Sequence, residues 1–581
     1  MKAKGRLPGK ALFLGFVAGL LMLNSGPYVR INRMGEFMGT RNAHAAAALP
    51  ARITPAMLKK MITDGQELAL LDPREEGSFS DNHLLLAVNI PLSRLETRIG
   101  DLVPRKTTRI VLADEGEGLS ERTALRLKEL GYQNISILEG GVGSWKAAGY
   151  EVFSGVNVPT KAFGEWVEHH YNLSSITPEE LDAKFRSGEK LILLDSRTPE
   201  EYRRFTLPGS LSVPGAELVY RYWELPVAPD TLVVVHCAGR TRSIIGAQSL
   251  INAGVKNRVV AFRGGTMAWE LAGFTTEKDA TRSAPEPSEK ALREAQSAAA
   301  QVAKRFGVRT IDAKKLAQFE RERNRRTLYL FDVRTREEYL NGHLPKSVHA
   351  PGGQLVQAID TYVATRNSRI VLIDQQTVRA QMTASWLVQA GWPDVFVLAN
   401  PFSGTTLERG ERTIDIPGLD GIRLPVVKPA ELQDLMKSGG TAVIDFTTSL
   451  NYGKGHIPGA WFAVRSRLGE GLMKIPAADR FVLTGDDLKI VTLAGADIAR
   501  LSSKPVSLLE GLNAGWRSAG YPLNKGMEKM ATKADDRWNR PTDIEDKVKA
   551  DEAKRAYLQW EEALPGQIAR DGDLRFGAPS H

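Results

Sequence analysis

The one cysteine of the chain, Cys237, lies in the segment Val233-Val-Val-His-Cys-Ala-Gly-Arg-Thr-Arg-Ser243. The β-branched residues before it predict a buried strand, and the residues from Ser243 onward predict the start of a helix. A thiol between a strand end and a helix N-terminus faces unpaired backbone N–H groups and the positive end of the helix dipole. Arg240 and Arg242 add two positive charges. We therefore expect a thiolate with a lowered pKa and a nucleophilic sulfur. The alternative is a small buried hydrophobe.

The elements around this loop predict an α/β unit. The pattern Ile176-Thr-Pro-Glu-Glu180 predicts a helix in which Thr177 is the N-cap, Pro178 the first residue and Glu180 the partner in a capping box. A strand ending in Asp195-Ser-Arg197 follows, then the cysteine loop and Gly264-Gly265 with Trp269 beyond them. Short apolar strands that alternate with amphipathic helices predict a parallel sheet with helices on both faces. Ligands of such sheets bind at the carboxyl ends of the strands, where Cys237 falls.

The same order of motifs occurs four times. The distance from the strand-end aspartate to the Cys237 position is 42 residues in three copies and 40 in the fourth. The cysteine position is held by Asp114, Asp374 and Gly485 in the other copies, so we expect these three to be inert. Their loops also lack the arginine pair, since Asp114 is followed by Glu-Gly-Glu and Asp374 by Gln-Gln-Thr-Val. Acidic loops repel an anionic ligand.

These motifs together resemble the rhodanese family: the Asp-Ser-Arg strand end, the Pro208-Gly209 turn, the cysteine loop and the Gly-Gly with its tryptophan. The resemblance implies an α/β fold of tandem rhodanese-like domains, each a parallel five-stranded sheet with helices on both faces. The predicted organisation is a signal peptide at 1–48, domains at 51–152 (inactive), 173–278 (catalytic), 307–410 (inactive) and 423–526 (degenerate, inactive), a linker at 279–306 and a charged helical extension at 527–581.

The resemblance implies that Cys237 attacks a small anionic sulfane-sulfur donor such as thiosulfate, becomes a persulfide, and passes the sulfur to cyanide or a thiol. The loop from Cys237 to Arg242 has the sulfurtransferase length; phosphatases and arsenate reductases of this fold have one residue more. With one cysteine, the acceptor must come from outside the chain and includes a partner protein's thiol. The alternatives are a sulfur carrier that does not turn over, in which the inert domains dock a partner, and a redox sensor.

Roles for the neighbouring residues follow from their chemistry. The predicted substrate-binding residues are those of the loop: Ala238, Gly239, Arg240, Thr241 and Arg242. Arg242 is expected to reach across the loop or bind the anion, and Arg240 to be the more exposed candidate for donor binding. Structural roles are predicted for Asp195 and Arg197 as an ion pair or cap, and for Ser243 and Trp269 near the site. His236 is predicted to be a strand residue, and no metal or cofactor is predicted.

The N-terminus predicts export. Residues 1–45 contain seven Lys/Arg and one acid, which leaves a net charge near +3 for the rest of the chain, without a basic stripe for nucleic acid. A basic start precedes the apolar run Ala11 to Leu23, and Ala43–Ala48 offers cleavage sites. The expected location is the periplasm. Because about twenty residues separate the apolar run from the alanines, an uncleaved membrane anchor is the alternative.

Overall fold

The computed structural model describes residues 50–577, and the signal peptide predicted at 1–48 lies outside the described residues. Four sheets follow one another along the chain, and in each the strands run in the spatial order first, fifth, fourth, second, third. All pairs between these strands are parallel. None of the helices within residues 50–577 is long and apolar enough to cross a membrane. The predicted fold class of tandem α/β units is confirmed.

The first unit contains five strands and five helices, and a sixth helix leads into the second unit. The strands are β1 (Ala51–Ile53), β2 (Leu68–Asp72), β3 (Val88–Asn89), β4 (Arg109–Leu112) and β5 (Asn134–Leu138). The helices are α1 (Pro55–Thr63), α2 (Glu76–Asp81), α3 (Leu95–Leu102), α4 (Leu119–Glu129), α5 (Gly141–Ala147) and α6 (Val158–His170).

The second unit carries the cysteine, and a long helix connects it to the third. The strands are β6 (Ser175–Ile176), β7 (Leu191–Asp195), β8 (Leu211–Ser212), β9 (Leu232–His236) and β10 (Val259–Phe262). The helices are α7 (Pro178–Ser187), α8 (Pro199–Arg204), α9 (Glu217–Arg221), α10 (Thr241–Asn252), α11 (Gly265–Leu271) and α12 (Glu289–Arg305). The capping box predicted for Thr177 and Glu180 is confirmed.

The third unit contributes one strand to the first sheet. The strands are β11 (Arg309–Ile311), β12 (Leu328–Asp332), β13 (Val348–His349), β14 (Thr365–Arg366), β15 (Arg369–Ile373) and β16 (Val395–Leu398). The helices are α13 (Ala313–Arg321), α14 (Arg336–Asn341), α15 (Gly352–Gln357) and α16 (Val378–Gln389). Strand β14 pairs antiparallel with β2, so the first sheet has six strands where the sequence predicts five. Its pairing with the edge of another unit's sheet is not encoded by any local pattern.

The fourth unit repeats the topology, and a long helix near the end of the described chain follows it. The strands are β17 (Val426–Val427), β18 (Thr441–Asp445), β19 (Trp461–Phe462), β20 (Arg480–Thr484) and β21 (Val506–Leu509). The helices are α17 (Pro429–Ser438), α18 (Ser449–Lys454), α19 (Leu468–Lys474), α20 (Leu488–Leu501), α21 (Leu512–Ser518) and α22 (Lys547–Asp571).

The second and third units share one apolar core. A single cluster of buried side chains runs from Phe163 on α6, through Val235 on β9 and Leu250 on α10, to Trp386 on α16. The indole N–H of Trp386 donates a 2.8 Å hydrogen bond to Ser249 Oγ across the same contact. Burial of a continuous apolar surface is the dominant favourable term in such packing. The cysteine-bearing unit is therefore held rigidly against its neighbour.

Candidate active site

Cys237 lies at the carboxyl end of the central strand β9, directly before helix α10. Its side chain is buried, and Sγ lies 3.8 Å from Ser243 Oγ. Helix α10 begins at Thr241, two residues before the predicted start. The reason is local, since the amide of Ile244 and the hydroxyl of Ser243 both donate to the carbonyl of Arg240 and so close the first turn around it. Ser243 is thus a helical residue beneath the thiol.

The loop between strand and helix offers free hydrogen-bond donors. The backbone N–H groups of Ala238, Gly239 and Arg240 donate to no other group within residues 50–577. These amides and the N-terminus of α10 surround the position of the thiol. Successive unpaired N–H groups of this kind form a concavity that binds anions. The predicted substrate-binding loop therefore has the hydrogen-bonding capacity for a bound anion or a charged sulfur.

A cleft of about 580 Å³ opens above the loop, and all six residues from Cys237 to Arg242 line it. Its other walls come from distant parts of the chain. Helix α6 and the residue before it contribute Lys161 and Asn157, and the third unit contributes some of residues 354–362. The chain after the fourth unit contributes residues 537, 538, 540–542 and Tyr557. Ligand pockets in proteins commonly have volumes of 300–1,000 Å³. The cleft is large enough for a ligand well beyond the size of an inorganic anion.

Arg242 clamps the loop to helix α8. Its two terminal nitrogens donate to both carboxylate oxygens of Glu201, at 2.6 and 2.8 Å, and one of them also reaches Gln354 Oε1 of the third unit at 3.3 Å. The Glu201 side chain is half-buried; this partial burial opposes ionisation, but the guanidinium of Arg242 outweighs it and lowers the pKa of Glu201 to about 2. A bidentate arginine–carboxylate pair fixes geometry as well as charge. The structure thus places Arg242 as a bridge across the loop.

The prediction that Arg240 is the more exposed arginine is wrong. Its side chain is 6% exposed, against 11% for Arg242. It donates at 2.7 Å to each oxygen of Glu165, contacts Glu168, and lies 3.0 Å from Glu562 of helix α22. These acids stand 72 and more residues away in sequence, so a local pattern could not reveal them. With three carboxylates around it, this guanidinium is a structural anchor.

Asp195 and Arg197 lie beneath the loop as a buried ion pair. Arg197 donates to both carboxylate oxygens, at 2.7 to 3.2 Å, and to the carbonyl of Phe205. Thr206 Oγ1 adds a 2.7 Å hydrogen bond to Asp195. Although burial opposes ionisation, His236 and Arg197 lower the pKa of Asp195. The same pair recurs as Asp72 with Arg74 and as Asp332 with Arg334.

Trp269 packs in the core of the second unit and does not line the cleft. It is buried against Phe262 and Phe274, and its indole N–H donates to the carbonyl of Thr275 at 2.9 Å. The residues that follow the pair Gly264-Gly265 bind the cysteine loop directly. The N–H groups of Thr266 and Met267 donate to the carbonyls of Cys237 and Ala238, at 2.9 and 3.1 Å. Helix α11 therefore holds the cysteine loop from behind.

His236 is the last residue of β9 and is fully buried. Its Nε2 shares a 2.8 Å hydrogen bond with Ser210 Oγ, and burial lowers its pKa from 6.5 to about 4.

The buried His236 should make the stability of the protein depend on pH. Since the unfolded chain takes up the proton first, this side chain lowers the free energy of unfolding as the pH falls from 6.5 towards 4. The free energy of unfolding of the wild type, relative to His236→Gln, should drop by about 2 kcal/mol between pH 7.5 and pH 5. Urea unfolding at both pH values measures it; a constant difference would contradict the burial argument.

In two of the other units, the aspartate at the cysteine position occupies the amides of its own loop. In the third, the carboxylate of Asp374 accepts from the amides of Gln376, Arg379 and Ala380, and in the first, Asp114 accepts from Gly116 and Ser120. The side chain itself thus fills the place of a bound anion. Both loops hold their own negative charge and have no sulfur.

The third unit also retains half of the arginine pair, contrary to the sequence-based expectation. Arg379 follows Asp374 by five residues, as Arg242 follows Cys237, and it makes the same bidentate contact with Glu338, at 2.7 and 2.9 Å. The four residues that follow Asp374 contain no arginine, and Arg379 lies one position beyond them. Glu201 was missed for a related reason, although its repeated position, six residues after the strand-end aspartate, is visible in the sequence as Glu338.

Comparison with known proteins identifies the family. The rhodanese-like domain model matches residues 54–148, 177–272 and 313–406. A curated sulfurtransferase of Allochromatium vinosum is 32% identical over 102 residues, which are 18% of this chain and 92% of that protein. The chain belongs to the rhodanese family. The fourth unit is not among the matched segments, but its sheet has the rhodanese-like strand order of the other three.

Two further proteins place this rhodanese-like chain among its relatives. The crystal structure of a thiosulfate sulfurtransferase from Pseudomonas aeruginosa superposes with a TM-score of 0.86 at 44% identity, covering 91% of this chain and 99% of that one. An uncharacterized protein of Synechocystis is 32% identical over 111 residues, which are 19% of this chain and 59% of that protein. The predicted enzyme class, a sulfurtransferase, is confirmed.

Proposed function

We propose that this rhodanese-type sulfurtransferase moves a sulfane sulfur from a donor such as thiosulfate through a persulfide on Cys237. The thiolate attacks the outer sulfur of thiosulfate, a new S–S bond forms, and sulfite leaves with the electron pair of the bond that breaks. A nucleophilic acceptor then attacks the outer sulfur of the persulfide. Cyanide leaves as thiocyanate, and the thiolate returns on Cys237.

The observation that carries this proposal is the set of unpaired backbone N–H groups beside a buried thiol. Ala238, Gly239 and Arg240 present three donors where the outer sulfur of a persulfide and the anionic part of the donor would lie. Donors fixed before the reaction stabilise charge without reorganisation, and they act more strongly in a site shielded from water. Neither Asp114 nor Asp374 leaves such a set free.

The acceptor comes from outside the chain, because Cys237 is the single cysteine. Cyanide and small thiols fit the cleft above the loop, whose 580 Å³ exceed what thiosulfate needs. A thiol presented by a partner protein is the remaining candidate. An alternative function is a carrier that loads sulfur once and releases it only to a docked partner, and turnover distinguishes the two.

The decisive experiment measures sulfur on the intact protein. The purified chain is incubated with thiosulfate and weighed by mass spectrometry, after which cyanide is added and thiocyanate is followed over time. We expect a gain of one sulfur atom and many turnovers with cyanide. A loaded sulfur without turnover would favour the carrier, and absence of loading with a reactive thiol would exclude thiosulfate as the donor.

Arg242→Lys tests the clamp across the loop. A lysine keeps the charge but loses the bidentate contact with both oxygens of Glu201, so the loop should hold its amides less well. We expect kcat/KM for thiosulfate to fall about tenfold, which corresponds to about 1.4 kcal/mol. Steady-state kinetics measures this. Arg379→Lys is the matched control in the third unit, and an equal loss there would assign the effect to general stability.

We also propose that the protein is exported to the periplasm. The support is the basic and apolar N-terminal sequence followed by Ala43–Ala48. The mass of the chain purified from a periplasmic extract decides between cleavage near these alanines and an uncleaved anchor, which would leave the full chain in the membrane fraction.

A further inference from the structure

Helix α22, near the end of the described chain, lies directly against the cysteine loop. An ideal Cβ built on Gly239 would be 3.0 Å from Glu561 Oε2 and 3.3 Å from Tyr557 Cε1, so a larger residue at this position would crowd the helix. Leu558 Cδ1 likewise would lie 3.3 Å from an ideal Cβ built on Gly264. The helix thus lies against both backbone segments that hold Cys237, although nearly 300 residues or more separate it from them in sequence.

Glu561 connects three elements at this contact. Its Oε1 accepts from Lys161 Nζ of helix α6 at 2.7 Å, from the hydroxyl of Tyr557 at 2.9 Å, and from the hydroxyl of Thr241 at 3.4 Å. Thr241 is the first residue of α10 and follows the loop amides. The side chain of Glu561 is fully buried, whereas Lys161 and Tyr557 also line the cleft above Cys237.

The other carboxylate oxygen, Oε2, has no hydrogen-bond partner although it is buried. It is the atom that faces Gly239. A buried carboxylate with an unpaired oxygen is costly unless a charge partner compensates it. Lys161 is that partner: burial opposes its charge, but Glu561 and Tyr557 outweigh this and raise its pKa. Lys161 lines the cleft above Cys237 and Glu561 lies against Gly239, so the pair places one positive and one negative charge next to the cysteine loop.

We propose that Glu561 is a positioning residue of the active site, which holds the cysteine loop through Thr241 and, with Lys161, balances the charge beside Cys237. Residues of the chain after the fourth unit then form part of the active site and influence the reactivity of Cys237. This role of Glu561 rests on the proposed sulfur transfer, because it assigns the residue to that active site. The role can be tested independently of sulfur transfer, because the charges act on any reagent that reaches the thiol.

The test compares two alkylating reagents of similar size, anionic iodoacetate and neutral iodoacetamide, on Cys237. Glu561→Gln leaves the cation of Lys161 uncompensated, so the rate ratio of iodoacetate to iodoacetamide should rise at least about threefold. Lys161→Gln leaves the carboxylate and should lower the ratio by a similar factor. The double variant should return it to within about twofold of the wild type.

Two controls separate positioning from mere docking of the helix. Leu564→Ala removes a buried side chain of α22 that packs in an apolar cluster with Phe153 and with Ala162 of α6, without touching the charged pair. Glu552→Gln removes the same charge as Glu561→Gln from an exposed position of α22. Both should keep the wild-type ratio, even where Leu564→Ala lowers the thermal midpoint. Shifts of equal sign in Glu561→Gln and Lys161→Gln, or a shift reproduced by Leu564→Ala, would overturn the proposal.

The same variants are assayed with thiosulfate and cyanide. We expect kcat/KM of Glu561→Gln to fall about tenfold, with the loss absent in Glu552→Gln. If the wild type takes up no sulfur, the proposed function fails while the reagent ratio still decides the role of Glu561. If the wild type turns over and the ratios do not change, the inference fails while the function stands. Should Glu561→Gln not fold, the direction in which the reagent ratio changes is tested with Lys161→Gln and the double variant.

Discussion

Cys237→Ser is expected to abolish sulfur transfer, with a loss of at least about a thousandfold in the rate of thiocyanate formation. A serine hydroxyl is scarcely ionised at neutral pH and cannot form the S–S bond on which the reaction depends. The exchange is nearly isosteric, and Ser243 Oγ at 3.8 Å offers the new hydroxyl a polar neighbour. The fold should therefore persist, with a change in the free energy of unfolding of about 1 kcal/mol or less.

Intact mass after incubation with thiosulfate measures this directly, since the chain has no other cysteine to take up sulfur. The wild type treated in parallel is the control, together with thermal unfolding of both proteins. Sulfur retained by Cys237→Ser would mean that another group carries it, and would contradict the assignment of the three remaining units as inert.

Gly265→Ala should have the second largest effect. Gly265 has φ +57°, in the left-handed region, and an ideal Cβ there would lie 2.4 Å from the carbonyl oxygen of Cys237 and 2.5 Å from the carbonyl carbon of Ala238. The substitution must push helix α11 away from the loop that it holds. We expect a cost of about 2–5 kcal/mol in the free energy of unfolding and a loss of about a hundredfold in kcat/KM.

The chain offers a matched control for this variant. Gly141 occupies the same position in the first unit, with φ +57° and an ideal Cβ 2.0 Å from the carbonyl oxygen of Asp114. Gly141→Ala should strain its own unit to a similar degree while sulfur transfer stays near the wild-type rate. Urea unfolding and steady-state kinetics on both variants give the comparison. Equal losses of activity would show that general destabilisation, and not loop geometry, is responsible.

The third unit, which has no cysteine, contributes residues to the site around Cys237. Gln354 of the third unit touches Arg242, and residues 354–362 supply part of the cleft wall. In its own loop, Asp374 supplies the negative charge that an anion would bring, and Arg379 remains to balance it. The loop of the third unit therefore has its charge balanced from within, and residues of this unit form part of the wall around Cys237.

Much of the fold follows from the sequence because its signals are local. Strand β7 and helix α8 are set by an apolar run followed by Thr198 and Glu201, whose capping box depends on residues three apart. The same motifs at a constant spacing predict the repeated sheets. The extra strand β14 could not be predicted, because its pairing with Leu68 and Ala69 joins residues nearly 300 positions apart.

The sequence by itself predicted Cys237 as the nucleophile, and it determined the loop of six residues that begins there and the absence of a cysteine from the other three copies. Each of these depends on residue types and on short spacings within one strand–loop–helix unit. Only the tertiary structure decided what surrounds the loop: the three carboxylates on Arg240, and Lys161 and Glu561 beside Gly239. Charges on separate elements interact through distance in space, and the packing of α6 and α22 on the second unit sets that distance. Sequence spacing carries no trace of it.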